Sequence, residues 1–263
     1  MFFAGIDIGS LTAQAVVIKN GKIIGAKTIS VLPHPVDSAK EVIDRLLSKQ
    51  EIKWEDIKCA VSTGYGREKI QQEGLTRENI SEISCHGLGA YTINPNIRTV
   101  IDIGGQDAKV IKVNQSGKLD NFVMNDKCAA GTGHFLEVMS KTLGVSLDEL
   151  GPMSRKSRKP VEMSNRCTIY VETEVIHFLQ QGVSKIDIAA GINRAMAERV
   201  VALARRVEPE KEIMMTGGVA KNVAVKSEIE KTLKVKMVKS KIDPQIMGAY
   251  GAALFAQKQE GAK

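Results

Sequence analysis

The chain has 263 residues, 43% hydrophobic and 4% aromatic, enough for aliphatic cores in two domains. No run approaches the ~18 consecutive apolar residues of a membrane span, and Met1–Ile8 reads as a strand rather than an export signal, so a cytoplasmic protein without a membrane partner is expected. The formal charge is +7, yet Arg155–Lys159 and the lysines from Lys226 to Lys241 lack interleaved aromatics, which argues against nucleic acid and for solvated faces or docking of an acidic protein.

The chain opens with Gly5-Ile6-Asp7-Ile8-Gly9-Ser10, an apolar strand that carries one acid and ends in a small-residue turn, and Ala13–Lys19 returns as a second strand. Glycine at such a tip permits positive φ and lets backbone N–H groups approach an anion. A carboxylate in an apolar strand is costly without a partner; beside a phosphate, magnesium is the natural one. A helix over Asp37–Gln50, a strand at Lys58–Ser62 and a helix near Ile80–Tyr91 follow.

At Val100-Ile101-Asp102-Ile103-Gly104-Gly105 the hairpin returns, with strands at Ala108–Val113 and Asn121–Met124 behind it. Two copies imply two related domains facing one phosphorylated ligand. Ser10, Leu11, Thr12, Ala13 and Gln14 then lie on one side of the phosphates, and Gly104, Gly105 and Gln106 on the other. Asp7 and Asp102 stand at the magnesium.

Helices are expected near Ala130–Leu143, Ile169–Gln180 and Ile186–Val207. Glu212–Thr216 is a strand running into Gly217-Gly218, a turn that can lie flat against a base or ribose, before a helix over Val219–Leu233. Lys221, and Gln245 at the head of a small-residue helix ending near Ala253, complete the adenosine side. Glycine is a poor helix former, so the glycines of that last helix mark tight packing at a hinge. Strands followed by helices, twice over, give an α/β fold. The expected domains are 1–95 and 96–263, with helix 246–260 packing back on the first.

Together, Asp7–Ala13, Asp102–Asp107, Thr216–Asn222 and Gln245–Leu254 resemble the superfamily of acetate and sugar kinases, heat-shock chaperones and actin. That resemblance implies two actin-like, ribonuclease-H-like domains with ATP in the cleft between them, and Asp7, Asp102 and Gln106 as hydrolytic residues.

The cysteines, Cys59, Cys85, Cys128 and Cys167, form no C-x-x-C pair, and His34, His86, His134 and His177 show no zinc-ligand spacing. Cys128 and Cys167 each precede an expected helix, where the dipole lowers a thiol pKa and favours negative charge. Buried structural cysteines are the competing reading. A cubane iron–sulfur cluster takes four thiolates, which a two-fold dimer supplies as two per chain.

Asn125–Gly133, with Thr63-Gly64-Tyr65-Gly66-Arg67 and Ile101–Asp107, resembles the activators of 2-hydroxyacyl-CoA dehydratases. That family also includes the ATPase subunits of benzoyl-CoA reductases and the reductases of double-cubane-cluster proteins. The resemblance implies a homodimer sharing one 4Fe–4S cluster on Cys128 and Cys167 of both chains. It implies ATP hydrolysis that drives single low-potential electrons from a ferredoxin or flavodoxin into an acceptor metalloenzyme. Cys59 and Cys85 are then structural. One departure is Gln14, where several relatives carry a lysine, so the first loop is expected to hold phosphate through backbone and hydroxyls. The rival reading is a small-molecule kinase with Asp126 of Asn125-Asp126 as general base; Lys127-Cys128 directly after it, and the lack of a sugar-binding insertion, weigh against it.

Overall fold

Strands β1 (Phe2–Ile8) and β2 (Thr12–Lys19) are buried along nearly their whole length, so both faces of their sheet are covered. Asn20 and Gly21 both have positive φ, the conformation a two-residue hairpin turn demands, and they lead into a third strand, β3 (Lys22–Ser30), that the sequence reading lacked. After helix α1 (Pro35–Gln50), β4 (Ile57–Gly64) returns parallel to β1. A short helix α2 (Arg67–Gln72) and edge strand β5 (Glu78–Asn79) finish a sheet ordered β3-β2-β1-β4-β5. The structure, a computed structural model, describes residues 1–164 and 167–261.

The second sheet retraces the same path. Strands β6 (Thr99–Ile103), β7 (Ala108–Val113) and β8 (Leu119–Asn125) form an antiparallel meander, and β9 (Ile213–Thr216) lies parallel beside β6. The order is β8-β7-β6-β9. Register makes the equivalence exact to the residue: Asp7 pairs with Gln14 and Thr63, while Asp102 pairs with Lys109 and Thr216. Each parallel strand is followed or closed by a left-handed glycine, Gly64 at φ 81° and Gly217 at φ 82°. The observed fold is therefore the expected duplicated α/β architecture.

Helices α1 and α2 cover the outer face of the first sheet around Val42, Leu46 and Ile70. The outer face of the second is covered by α4 (Gly133–Leu143), α5 (Leu147–Ser154), α6 (Thr168–Gln180), α7 (Lys185–Arg205) and α8 (Val223–Leu233), around Leu136, Met139 and Met196. Between the sheets lie α3 (Glu82–Ile93) and α9 (Met247–Gly261), in a core that draws Phe3 and Val61 from one sheet and Val100 and Ile111 from the other. Close approach explains the glycines here. A Cβ at Gly5 would overlap the backbone of Ala249 and Ala253, and one at Gly251 would overlap the backbone of Cys85.

Two helix starts differ from expectation by three residues or more. Helix α8 begins at Val223 rather than Val219, because Gly218–Lys221 is a 3-10 turn and the Asn222 side chain caps the amides of Ala224 and Val225 at 3.0 and 3.1 Å. Helix α4 begins at Gly133 rather than Ala130, so Cys128 sits in the preceding loop and not at a helix N-terminus. The Asn125 side chain takes up the Cys128 carbonyl at 2.9 Å, which turns that carbonyl away from helical bonding. Among the described residues, no helix is long and apolar enough to cross a membrane.

Candidate functional site

The duplicated turns are built alike. Gly9 N–H donates to the Thr12 carbonyl and Gly104 N–H to the Asp107 carbonyl, each at 3.0 Å. They also face each other: a Cβ on Gly105 would lie 2.7 Å from Leu11 and 2.8 Å from Ser10 Oγ. Above them opens a cleft of about 410 Å³. The structure brings Asp7, Ser10, Leu11, Thr12, Gln14, Asp102, Gly104, Gly105, Gly217, Gly218, Lys221 and Gln245 to its walls.

The far corner is tied together by polar contacts. Lys221 Nζ donates to Asp243 at 2.9 Å and to Gln245 Oε1 at 2.8 Å, and Gln245 Nε2 donates to Thr12 Oγ1 at 3.3 Å. Gln14 Nε2 reaches the same hydroxyl at 2.6 Å. Gln245 therefore spans from the Lys221–Asp243 corner to the turn at Thr12.

Two expected residues stand elsewhere. Ala13 is fully buried in the core under α1, and Gln106 is exposed at its turn without lining the cleft. Asp126 is likewise exposed and away from the cleft. Conversely, the cleft holds Tyr65, Glu82, His86, Asp107 and Lys109, which sequence reasoning did not assign.

These unassigned residues surround the two aspartates. Lys109 Nζ, buried, lies 2.6 Å from Asp107, 3.3 Å from Glu82 and 3.4 Å from Asp102. His86 Nδ1 sits 3.2 Å from Asp102 Oδ1, which also accepts from the Thr216 hydroxyl at 2.9 Å. Burial pushes the Asp102 carboxyl up, but His86, Lys109 and Thr216 outweigh it and hold the group below the ordinary range. Burial would pull Lys109 down, and its three carboxylates reverse that. At Asp7 the balance falls the other way, with Lys109 too weak to offset the rest. Burial first, then the charges of Glu82 and Asp102, push its carboxyl up to about 8.

This corner suits a hard cation. Among the described residues, Asp7, Glu82, Asp102 and Asp107 gather around one buried ammonium, and Asp107 Oδ2 and Thr63 Oγ1 are buried without a hydrogen-bond partner. Glycine keeps space clear at Asp7, since a Cβ on Gly64 or Gly248 would overlap its carboxylate oxygens. No three His, Cys, Asp or Glu among the described residues form a ready protein cage, and magnesium commonly takes one or two carboxylates and completes its shell with phosphate and water.

A pH dependence follows for Asp7. Its folded carboxyl titrates near 8 and its unfolded one near ~3.9. The stability this group contributes is thus fully present below about pH 4 and lost as pH rises through about 8. Cation binding favours the carboxylate, so it should release a proton and tighten across the same window. Asp7→Asn is expected to flatten the loss of nucleotide-free stability with rising pH, read from urea midpoints, and to weaken stabilisation by Mg-nucleotide. A variant with the wild-type slope would contradict this role.

All four cysteines are free; Cys59 and Cys85 are buried, whereas Cys128 and Cys167 are partly exposed. Burial pushes the Cys85 thiol far up, which makes it inert. Cys167 is the N-cap residue of α6 and spends no side-chain bond on capping. Beside it, Ile169 is 72% and Tyr170 69% exposed, an apolar face without cover in the single chain. The Cys128 sulfur accepts from Arg199 Nη2 at 3.3 Å. Just beyond Cys128, the first amides of α4 reach the second glycine turn, Gly133 to the Gly104 carbonyl and His134 to the Gly105 carbonyl, both at 2.8 Å.

Known proteins share this fold. The chain is 45% identical over 259 residues to the (R)-2-hydroxyglutaryl-CoA dehydratase activating ATPase of Acidaminococcus fermentans, covering 98% of each. Its structure matches the crystal structure of (R)-2-hydroxyglutaryl-CoA dehydratase component A from that organism with a TM-score of 0.95, at 44% identity and 100% of both chains. The activator of the 2-hydroxyisocaproyl-CoA dehydratase from Clostridium difficile, solved with bound ADPNP, gives a TM-score of 0.93 at 41% identity over 100% of this chain and 98% of that one. With residues 4–256 matching it as well, the chain belongs to the BadF/BadG/BcrA/BcrD ATPase family.

Proposed function

We propose that this ATPase drives single low-potential electrons into an acceptor metalloenzyme, a 2-hydroxyacyl-CoA dehydratase or a double-cubane-cluster protein, with a ferredoxin or flavodoxin as donor. The observation that carries this reading is the pair of hydrogen bonds from α4 to the Gly104 and Gly105 carbonyls. They tie the loop that would touch phosphate to the loop that holds Cys128. Names of the relatives, dehydratase activators, support the same class of partner.

The division of labour is as follows. Ser10, Leu11, Thr12 and Gln14 take one side of the phosphates, and Gly104 and Gly105 the other. Gly217, Gly218, Lys221 and Gln245 line adenosine. Asp7 would hold magnesium, which would supply charge neutralisation at the phosphates. Asp102, kept ionised by its neighbours, orients the attacking water. The halves 1–95 and 96–263 close on the nucleotide.

Two accessible thiols per chain fit a 4Fe–4S cluster shared across a two-fold axis, and the exposed Ile169 and Tyr170 beside Cys167 fit the interface such a dimer needs. Bound there, the cluster supplies one-electron transfer. Basic exposed lysines between Lys226 and Lys241 favour an acidic donor.

The test is electron transfer under anaerobic conditions from the reduced chain to a purified dehydratase, followed through one and then many turnovers, with and without ATP. Transfer should need ATP and fail with a non-hydrolysable analogue over many turnovers. Equal rates without nucleotide would leave a simple electron carrier and end the proposal.

A further inference from the structure

Arg199 sits on α7, half-buried, with its stem against the Cys128 loop. Gly131 has φ 93° and places its Cβ position 3.4 Å from Arg199 Cβ, so the loop lies down on that side chain. The guanidinium then makes two different contacts with the loop. Nη2 donates to Cys128 Sγ at 3.3 Å and Nε donates to the Ala130 carbonyl at 3.0 Å. A planar fork can hold two such acceptors in fixed relation; an ammonium cannot.

The same helix also touches the nucleotide side. Six residues earlier, about 9 Å along the axis, buried Asn193 accepts from Asn222 Nδ2 at 2.8 Å, and Asn222 lines the cleft and caps α8. Asn193 Nδ2 bonds the Ala189 carbonyl of its own helix at 2.8 Å. Helix α7 thus runs as one rod from the adenosine wall to the cysteine sulfur. The Cys128 loop is held from both ends, by the phosphate-loop carbonyls through α4 and by Arg199 through α7.

We infer that Arg199 is a positioning residue that fixes the Cys128 sulfur and donates a hydrogen bond to it, and so sets the reduction potential of whatever iron–sulfur group that sulfur ligates. The inference rests on the proposed cluster for its redox part, and on the loop contacts alone for its clamping part. Hydrogen bonds and positive charge at a ligating sulfur favour the reduced, more negative form and raise the potential. Taking Arg199 away lowers it.

Two measurements on the full chain decide this. In anaerobically reconstituted dimer, Arg199→Ala should bind its electron about tenfold more weakly, a midpoint about 59 mV more negative by spectroscopically monitored titration. Arg199→Lys keeps the charge without the fork and should fall between; it carries the measurement if the alanine variant holds no iron. Unchanged midpoints at unchanged iron content overturn the tuning role. In cluster-free protein, trypsin cleavage after exposed Lys127, followed by mass spectrometry, should be about tenfold faster in Arg199→Ala, as expected for loss of a charge-assisted bond. Unchanged cleavage overturns the clamp. A wild-type chain that takes up no iron refutes the cluster instead, and the cleavage measurement then decides on Arg199 by itself.

Discussion

Replacing Asp102 by alanine is expected to lower ATP turnover by about a thousandfold, the usual range for a group that acts on the reacting water or the developing charge. Two carboxylates in equivalent strand positions face one cleft, and their surroundings drive them in opposite directions. Asp102 is held ionised by His86, Lys109 and Thr216, whereas Asp7 is pushed up to about 8. Separated proton affinities of this kind divide acid, base and metal roles between paired groups. The ionised partner is the one equipped to orient water before any cation arrives. Lys109 keeps Asp107 and Glu82 in the variant, so the chain should fold and bind ATP within a few-fold of wild type. Binding by fluorescence and turnover by phosphate release separate the two. Wild-type turnover in a folded Asp102→Ala protein would remove Asp102 from the chemistry.

The second large effect is at the cysteines. Cys128→Ser and Cys167→Ser should each abolish iron uptake, from about four irons per dimer to nearly none, and weaken the dimer. Cys59→Ser should leave both unchanged, because its sulfur is buried in the core between the sheets. A serine hydroxyl is a poor ligand for iron beside sulfide, and the cluster would bridge two copies whose apolar α6 faces otherwise meet water. Iron analysis together with sedimentation reads both quantities on one sample. Four irons per single chain, or full iron in either serine variant, would refute the shared cluster.

Much of this was legible in the residues. The twin Asp-x-Gly turns and the Gly217-Gly218 turn marked the walls of the cleft, because tight glycine turns are written in local sequence. Lys109 carried a readable signal that was passed over: once Asp7 pairs with Gln14 across the first hairpin, Asp102 pairs with Lys109 across the second. Strand β3 was likewise announced by Asn20-Gly21. Glu82 and His86 carried none. They reach both aspartates from α3, a helix packed between the two sheets, and only tertiary packing decides that. The start of α4 was misread because Ala129-Ala130 favour helix, while Asn125 captures the loop's carbonyls from outside it.

The contact between α3 and α9 has a mechanical consequence. Gly251 lies against the Cys85 backbone, and Gly89 lies against Met247, where a Cβ would stand 3.0 Å from the carbonyl oxygen. At these two glycines the helix backbones meet with no Cβ between them. Under the proposed closure, one sheet shears against the other along this seam, and the work of closure is delivered at the loops rather than absorbed at the pivot.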